Sequence, residues 1–122
     1  MAKILLVEDD PFLVTLLKAK FAREGFEILL AKDGQEAINT LRQTKPDLIL
    51  LDIILPQKSG FEVLEEIRSD PQLRNIPVII ISNLGQSGDI EKGKALGVVE
   101  YFVKAKISVD ELSNKVKEFL KT

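Results

Sequence analysis

Five short apolar runs recur along the chain: Ile4 to Val7, Ile28 to Leu30, Leu48 to Leu51, Val78 to Ile81 and Val98 to Val103. The first, third and fourth are apolar throughout, the pattern of strands buried on both faces of a parallel sheet. The other two carry a charge, Glu27 just before one and Glu100 inside the other, which suits edge positions. Helical segments with start signals lie between the runs. Asp10-Pro11 reads as an N-cap followed by Pro at the first helical position. Asp33 to Glu36, Ser59 to Glu62 and Ser108 to Glu111 fit capping boxes, the first with Asp in the cap position, and Ile107 with Leu112 adds a hydrophobic staple. Apolar residues follow at helical spacing: Val14, Leu17, Phe21; Ala37, Ile38, Leu41; Phe61, Leu64, Ile67; and Leu112, Val116, Phe119.

Strands alternating with helices imply a parallel sheet with right-handed crossovers. Three central and two edge strands give the order 2-1-3-4-5. The predicted fold is therefore α/β, a flavodoxin-like doubly wound five-stranded parallel sheet, (βα)5. Gly88 and Gly93 weaken the fourth helix, each costing up to ~1 kcal/mol against Ala in a helix interior. That helix is expected to be the most mobile one. The 122 residues suit one domain, 1–122, and the last helix is expected to run to the C-terminus with no output module after it.

Composition narrows the chemistry. The chain has no Cys, no His and no Trp, so a disulfide framework, a Cys/His zinc site, a Cys nucleophile and a Ser-His-Asp relay are all excluded. A net charge of −2 offers no basic footprint for nucleic acid. No apolar run approaches a signal-peptide core or a membrane span, and a cytoplasmic protein without membrane contact is expected.

In a doubly wound sheet, ligands bind outside the carboxyl ends of the strands. Glu8, Asp9 and Asp10 follow the first run, Asp52 the third, Ser82 and Asn83 end the fourth, and Lys104 follows the fifth. Taken singly each has a plainer role: Asp10 as a helix cap, Lys104 as a solvated lysine, Ser82 as a loop hydroxyl. Asp52 is different, because it directly follows the buried run Leu48 to Leu51. A partly desolvated carboxylate near other acids is costly without a cation. Several acids meeting at one point suit a hard divalent ion such as Mg2+.

Five stretches, in order along the whole chain, together resemble response-regulator receiver domains. They are Leu5 to Pro11 (LLVEDDP), Pro46 to Pro56 (PDLILLDIILP), Gly60 to Leu64 (GFEVL), Ile76 to Asn83 (IPVIIISN) and Gly97 to Lys104 (GVVEYFVK). The resemblance implies a phosphoacceptor role for Asp52, a direct Mg2+ ligand in Asp9, and Glu8 as its acidic neighbour acting through water. It makes the backbone carbonyl of Ile54 the remaining protein ligand. Ser82 would hydrogen-bond the phosphoryl group, Lys104 would pair with a phosphoryl oxygen, and Tyr101 would be the aromatic that follows the switch. Without the other motifs, Tyr101 is an ordinary half-buried strand aromatic. The implied partners are a sensor histidine kinase or histidine phosphotransfer protein upstream, and a protein target or second copy downstream. The face formed by the fourth helix, fifth strand and last helix, with Lys92, Lys94, Glu100, Lys106 and Lys115, would signal. Such a chain is a switch rather than an enzyme: it promotes only its own phosphoryl transfer and autodephosphorylation. No small-molecule substrate is implied beyond acetyl phosphate. Because the chain has no histidine, the donor must be another protein or a small phosphodonor.

Several positions depart from the family pattern. Ala105 follows Lys104 where Pro with a cis bond is usual. A cis bond before Ala costs ~2.5–4 kcal/mol, so a trans peptide and a locally different loop are predicted. Asn83 stands where a small residue is usual, either narrowing access to Asp52 or adding a hydrogen bond. Ile54 and Leu84, both apolar, occupy the positions that flank the hydrolytic water, which implies a long-lived acyl phosphate. Three other functions fit these residues less well. A haloacid-dehalogenase-type phosphatase needs a second Asp where Ile54 stands. A nucleotide or flavin binder has only Gly85-Gln86-Ser87-Gly88, which lacks the Lys and spacing of a P-loop. A degenerate receiver would lack acceptor chemistry that this chain retains.

Overall fold

The computed structural model describes residues 2–120. Its elements, in chain order, are β1 (Lys3–Val7), α1 (Pro11–Arg23), β2 (Glu27–Ala31), α2 (Gly34–Gln43), β3 (Leu48–Leu51), α3 (Gly60–Ser69), β4 (Val78–Ser82), α4 (Ser87–Ala95), β5 (Glu100–Val103), a single 3-10 turn (Lys104–Lys106) and α5 (Val109–Leu120). The strands form one parallel sheet in the order β2-β1-β3-β4-β5. Val7 stands beside both Ala31 and Leu51, so three strands end in register along one rim. Among the described residues, no helix is long and apolar enough to cross a membrane.

The alternation of side chains along the buried strands sorts the core onto two faces. Leu5, Val7, Ile49, Leu51, Val78 and Ile80 pack against α2 and α3. Ile4, Leu6, Leu48, Leu50, Ile79 and Ile81 pack against Leu17 and Phe21 of α1 and Leu112 and Val116 of α5. Both faces are apolar in β1, β3 and β4 because helices cover both sides of them.

The local signals largely hold. Asp10 accepts from the Phe12 amide with Pro11 at the first helical position. Ser59 and Glu62 complete a capping box, as do Ser108 and Glu111. Asp33 accepts from the Glu36 amide (2.8 Å), with no return bond from the Glu36 side chain among the described residues. The helix α1 ends in a Schellman turn at Gly25 (φ +88°): the Gly25 amide reaches Ala22 and the Phe26 amide reaches Phe21. The two rings then meet edge to face at 6.1 Å.

Two expectations need correction. The fifth strand begins at Glu100, not Val98. Gly97 takes φ +80° and the Val98 amide bonds back to Gly93, so α4's closing turn consumes Val98 before the chain can join the sheet. Phe119 is 40% exposed. The buried stripe of α5 runs Leu112, Val116, Leu120 with Val109 and Ser113 on its flank, which leaves Phe119 at the rim.

On the outside, α1 and α5 are joined by ion pairs of Lys20 with Asp110 (2.9 Å) and of Lys117 with Glu24 (2.6 Å), while Lys20 also pairs with Glu24 at the end of its own helix (3.5 Å). Lys117 chiefly holds Glu24 below the usual carboxylate range, Lys20 does the same for Asp110, and Asp110 raises Lys20. Lowered carboxylates contribute stability that is present above their unfolded values and lost as pH falls through the folded ones. The raised Lys20 contribution is lost as pH rises through its folded value. Lys20→Met is therefore expected to lower Tm slightly at neutral pH. The difference should close as pH falls through the carboxyl titrations. A Tm difference independent of pH in thermal melts would refute this account.

Candidate functional site

The rim at the carboxyl ends of β1, β3, β4 and β5 gathers the residues singled out in the sequence. Glu8 follows β1 and is fully buried; Asp52 follows β3 and is 3% exposed. Each is drawn in because the four residues before it, Ile4 to Val7 and Leu48 to Leu51, lie in the core. Their backbones continue the sheet, with the Glu8 amide donating to Ala31 and the Asp52 amide to Val7, both at 3.0 Å. Asp9 points to the exposed side. Carboxylate oxygens of Glu8, Asp9 and Asp52 lie within 4.8 Å of one another.

Lys104 closes the group from the 3-10 turn. Its Nζ donates to Asp52 Oδ2 at 2.8 Å and to Glu8 Oε2 at 3.0 Å. The peptide bond after Lys104 is trans, as expected with Ala105, and the chain there forms the 3-10 turn. Asp52 Oδ1 accepts from the Ile54 amide at 3.2 Å, and Glu8 Oε2 accepts from the Asp10 amide at 3.1 Å. Burial pushes the Glu8 carboxyl up, more than Lys104 and the Asp10 amide pull it down, and the Asp52 charge adds to the rise. Burial by itself would lower Lys104, but bonds to Asp52 and Glu8 hold it above the ordinary lysine value.

These residues fit a hard divalent cation. The donors are all oxygens, and three carboxylates face one ammonium, which leaves two negative charges uncompensated. Glu8 Oε1 is a second sign. It lies 2.9 Å from Lys104 Nζ but outside hydrogen-bond alignment, and it is buried with no donor among the described residues. That oxygen has the Lys104 charge beside it but no aligned donor, which leaves a lone pair for a water or a metal ion. A cleft of about 340 Å³ opens beside Glu8 and Asp9, walled by Val14, Leu30 and Lys32.

Ser82 is fully buried at the end of β4, and its Oγ accepts from the Leu84 amide at 3.3 Å. The Leu84 carbonyl in turn accepts from the Tyr101 hydroxyl at 2.5 Å. Ser82 and Tyr101 are thus two bonds apart through one residue. Burial raises the Tyr101 hydroxyl, with Asp89 and Asp52 adding to it. Asn83 is exposed and makes no side-chain hydrogen bond among the described residues, so of its two readings the hydrogen bond is not seen. Ile54 is 56% exposed, whereas Leu84 leans on the α2–α3 side of the core.

Sequence reasoning missed two features. Glu8 is as buried as Asp52 and shares its lysine, although the signal used for Asp52, an acid directly after a buried strand, was present for Glu8 as well. The glycines were the other. A Cβ on Gly60 would meet the Asp52 carbonyl oxygen at 2.2 Å, and one on Gly34 would meet that of Lys58 at 2.1 Å. The two helix starts therefore pinch the loop between Asp52 and Gly60. A Cβ on Gly85 would stand 3.1 Å from Val103, so the glycine-rich turn leaves little room there for a side chain.

The chain is similar to known proteins in sequence and fold. The family model for the response regulator receiver domain matches residues 4–117. The chain is 34% identical to the polar-differentiation response regulator DivK of Brucella anthropi, over 96% of this chain and 94% of that protein. It spans only 45% of a longer relative, a probable transcriptional regulator of Guillardia theta. Among solved structures it resembles a phosphorylated cyanobacterial phytochrome response regulator, RcpA. The TM-score is 0.86 at 38% identity, covering 97% of this chain and 92% of that one. It also resembles the receiver domain of a sensor histidine kinase from Pseudomonas aeruginosa, which has a magnesium ion in its active-site cleft. There the TM-score is 0.87 at 29% identity, covering 99% and 98%.

Proposed function

This chain belongs to the response regulator receiver domain family, and from that premise we propose that Asp52 accepts a phosphoryl group from a phosphohistidine on another protein. The observation that carries the reading is the pairing of buried Asp52 with Lys104 at 2.8 Å beside two further carboxylates. Histidine is absent from these 122 residues, so the phosphoryl group comes from outside them, from a sensor kinase or phosphotransfer protein or from a small phosphodonor such as acetyl phosphate. With such partners the chain would act in the cytoplasm.

A carboxylate oxygen of Asp52 attacks the phosphorus, the P–N bond breaks, the imidazole leaves with the electron pair, and an aspartyl phosphate forms. In the unphosphorylated state Lys104 is held by Asp52 and Glu8. As charge builds on the transferring group, Lys104 turns from Asp52 to a phosphoryl oxygen. Asp9, Asp52, the Ile54 carbonyl and, through water, Glu8 would hold Mg2+, which when bound supplies positive charge against the phosphoryl oxygens.

Ser82 then provides the switch. Rotation of its hydroxyl toward the phosphoryl group releases the Leu84 amide, and through the Leu84 carbonyl the change reaches Tyr101. Two packings of the loop after β4 exchange population, and the face of α4, β5 and α5 changes with them for a protein target or a second copy. The chain turns over no external substrate.

Acetyl phosphate with Mg2+ tests the proposal. Intact-mass measurement is expected to find one added phosphoryl group, absent without Mg2+ and absent in Asp52→Asn. Persistence of the mass gain in Asp52→Asn would put the acceptor elsewhere.

Ile54 is exposed and apolar beside the acceptor, so it offers attacking water no hydrogen bond. Ile54→Asn is expected to speed loss of the phosphoryl group on the order of tenfold, about 1.4 kcal/mol of barrier. Unchanged or slower decay in Mg2+ would remove the link between this side chain and phosphoryl lifetime.

A further inference from the structure

Arg68, in the last turn of α3, is a half-buried guanidinium with no carboxylate partner among the described residues. Four backbone carbonyls take its donors. Nε donates to Leu96 (2.7 Å) and Nη2 to Gly97 (3.1 Å), at the end of α4. Nη1 donates to Arg74 (3.0 Å) and Ile76 (3.2 Å), on the way into β4. A cation against the last carbonyls of a helix also opposes its dipole. Gly97 allows the approach, since a Cβ there would stand 3.3 Å from Nε at φ +80°.

The two ends of α4 are held very differently. At the C-terminal end the Gly97 amide reaches Lys94 (2.9 Å) and the Val98 amide reaches Gly93 (3.3 Å), a complete Schellman turn. Arg68 then takes the two carbonyls beyond it. At the N-terminal end Gln86 makes no side-chain cap bond, and Gly88 has open space where a side chain would be. Gly93 sits against Ile80 and Tyr101, with room for no Cβ without a shift (3.0 Å to each), so the helix touches the sheet close to its fixed end.

We infer that Arg68 is a positioning residue that pins the C-terminal end of α4 to α3 and to the entry of β4, making α4 a lever that swings from its N-terminal half. Only the link between that swing and signalling rests on the phosphoacceptor reading; the hinge itself does not. Lysine cannot replace the arginine fully, because one ammonium cannot serve four carbonyls in a planar fork.

Amide hydrogen exchange on the unphosphorylated protein tests the hinge without any phosphodonor, so its result stands whether or not Asp52 is the acceptor. In the wild type, Ile90 and Glu91 are expected to exchange roughly tenfold or more faster than Leu96, Gly97 and Val98, after correction for intrinsic rates. In Arg68→Met the slow group should rise to the rate of the fast group, measured relative to Leu50 and Ile80 in the central strands. Arg68→Lys, which keeps the charge and is the milder change, should fall between. Equal protection at both ends in the wild type, or a gradient that survives Arg68→Met or Arg68→Lys unchanged, would overturn the inference.

Discussion

Asp52→Asn is expected to abolish phosphorylation and, in the absence of metal, to raise Tm. The first effect follows from the proposed role of Asp52, because the variant has no carboxylate there to attack phosphorus. The second follows from the charge balance. Glu8, Asp9 and Asp52 share one ammonium, and the Asp52 charge is one reason the Glu8 carboxyl is raised. In the variant Lys104 keeps Glu8 as partner, and one of the three clustered acidic charges is gone. Each kcal/mol relieved is worth about 3–5 °C in a chain of this size. Mg2+ should reverse the ranking. At a hundredfold excess over its dissociation constant it stabilises the wild type by about 2.7 kcal/mol, and it should stabilise the variant far less. Thermal melts with and without Mg2+ decide this, and equal metal effects on both proteins would rule out a site centred on Asp52.

Gly60→Ala is expected to be the most damaging single-methyl change considered. The new Cβ would lie 2.2 Å from the Asp52 carbonyl oxygen and 2.6 Å from the Ile53 Cα. Both are backbone atoms, and the Gly60 amide is already bonded to the Ile53 carbonyl at 2.8 Å, so no rotamer change relieves the clash. Either α3 leaves a core that buries Val63, Leu64 and Ile67, or the loop carrying Asp52 moves. The cost should reach about 3 kcal/mol or more, the upper end for overpacking and a large part of a typical domain's net stability of about 5–15 kcal/mol. Gly88→Ala is the control. Nothing lies within 4 Å of its Cβ, so the variant should gain up to about 1 kcal/mol from helix propensity. Urea unfolding of the two variants checks both signs, and a Gly60→Ala loss below about 1 kcal/mol would show that the pinch on the loop is slack.

The strands and their order could be read before any coordinate because burial on both faces leaves an unbroken apolar run, and a charge marks an edge. The candidate site residues could be read for a related reason. An acid placed directly after such a run has nowhere to go but the rim of the sheet. The errors fell where two signals compete over a few residues. Val98 looks like strand, yet Gly97 takes a positive φ and draws the Val98 amide back to Gly93. Phe119 looks like core, yet Leu120 lies closer to the centre of the buried stripe. The two glycines of α4 looked alike as helix breakers. Gly93 is needed for contact with Ile80 and Tyr101, whereas Gly88 touches nothing.

Local chemistry thus determined the elements, their caps and the kinds of residue at the rim, because alternation, helical period and capping act over a few neighbouring residues. Distances between remote segments were decided only by the tertiary structure. Lys104 meets Asp52 across 52 positions and Glu8 across 96, and nothing near Lys104 in the chain says that it will serve two acids at once. Arg68 reaches α4's end across 28 positions, and Gly60 yields to a carbonyl eight residues earlier. Such contacts depend on how strands and helices are packed in space, so they exist only once the sheet has set the spacing of its own ends.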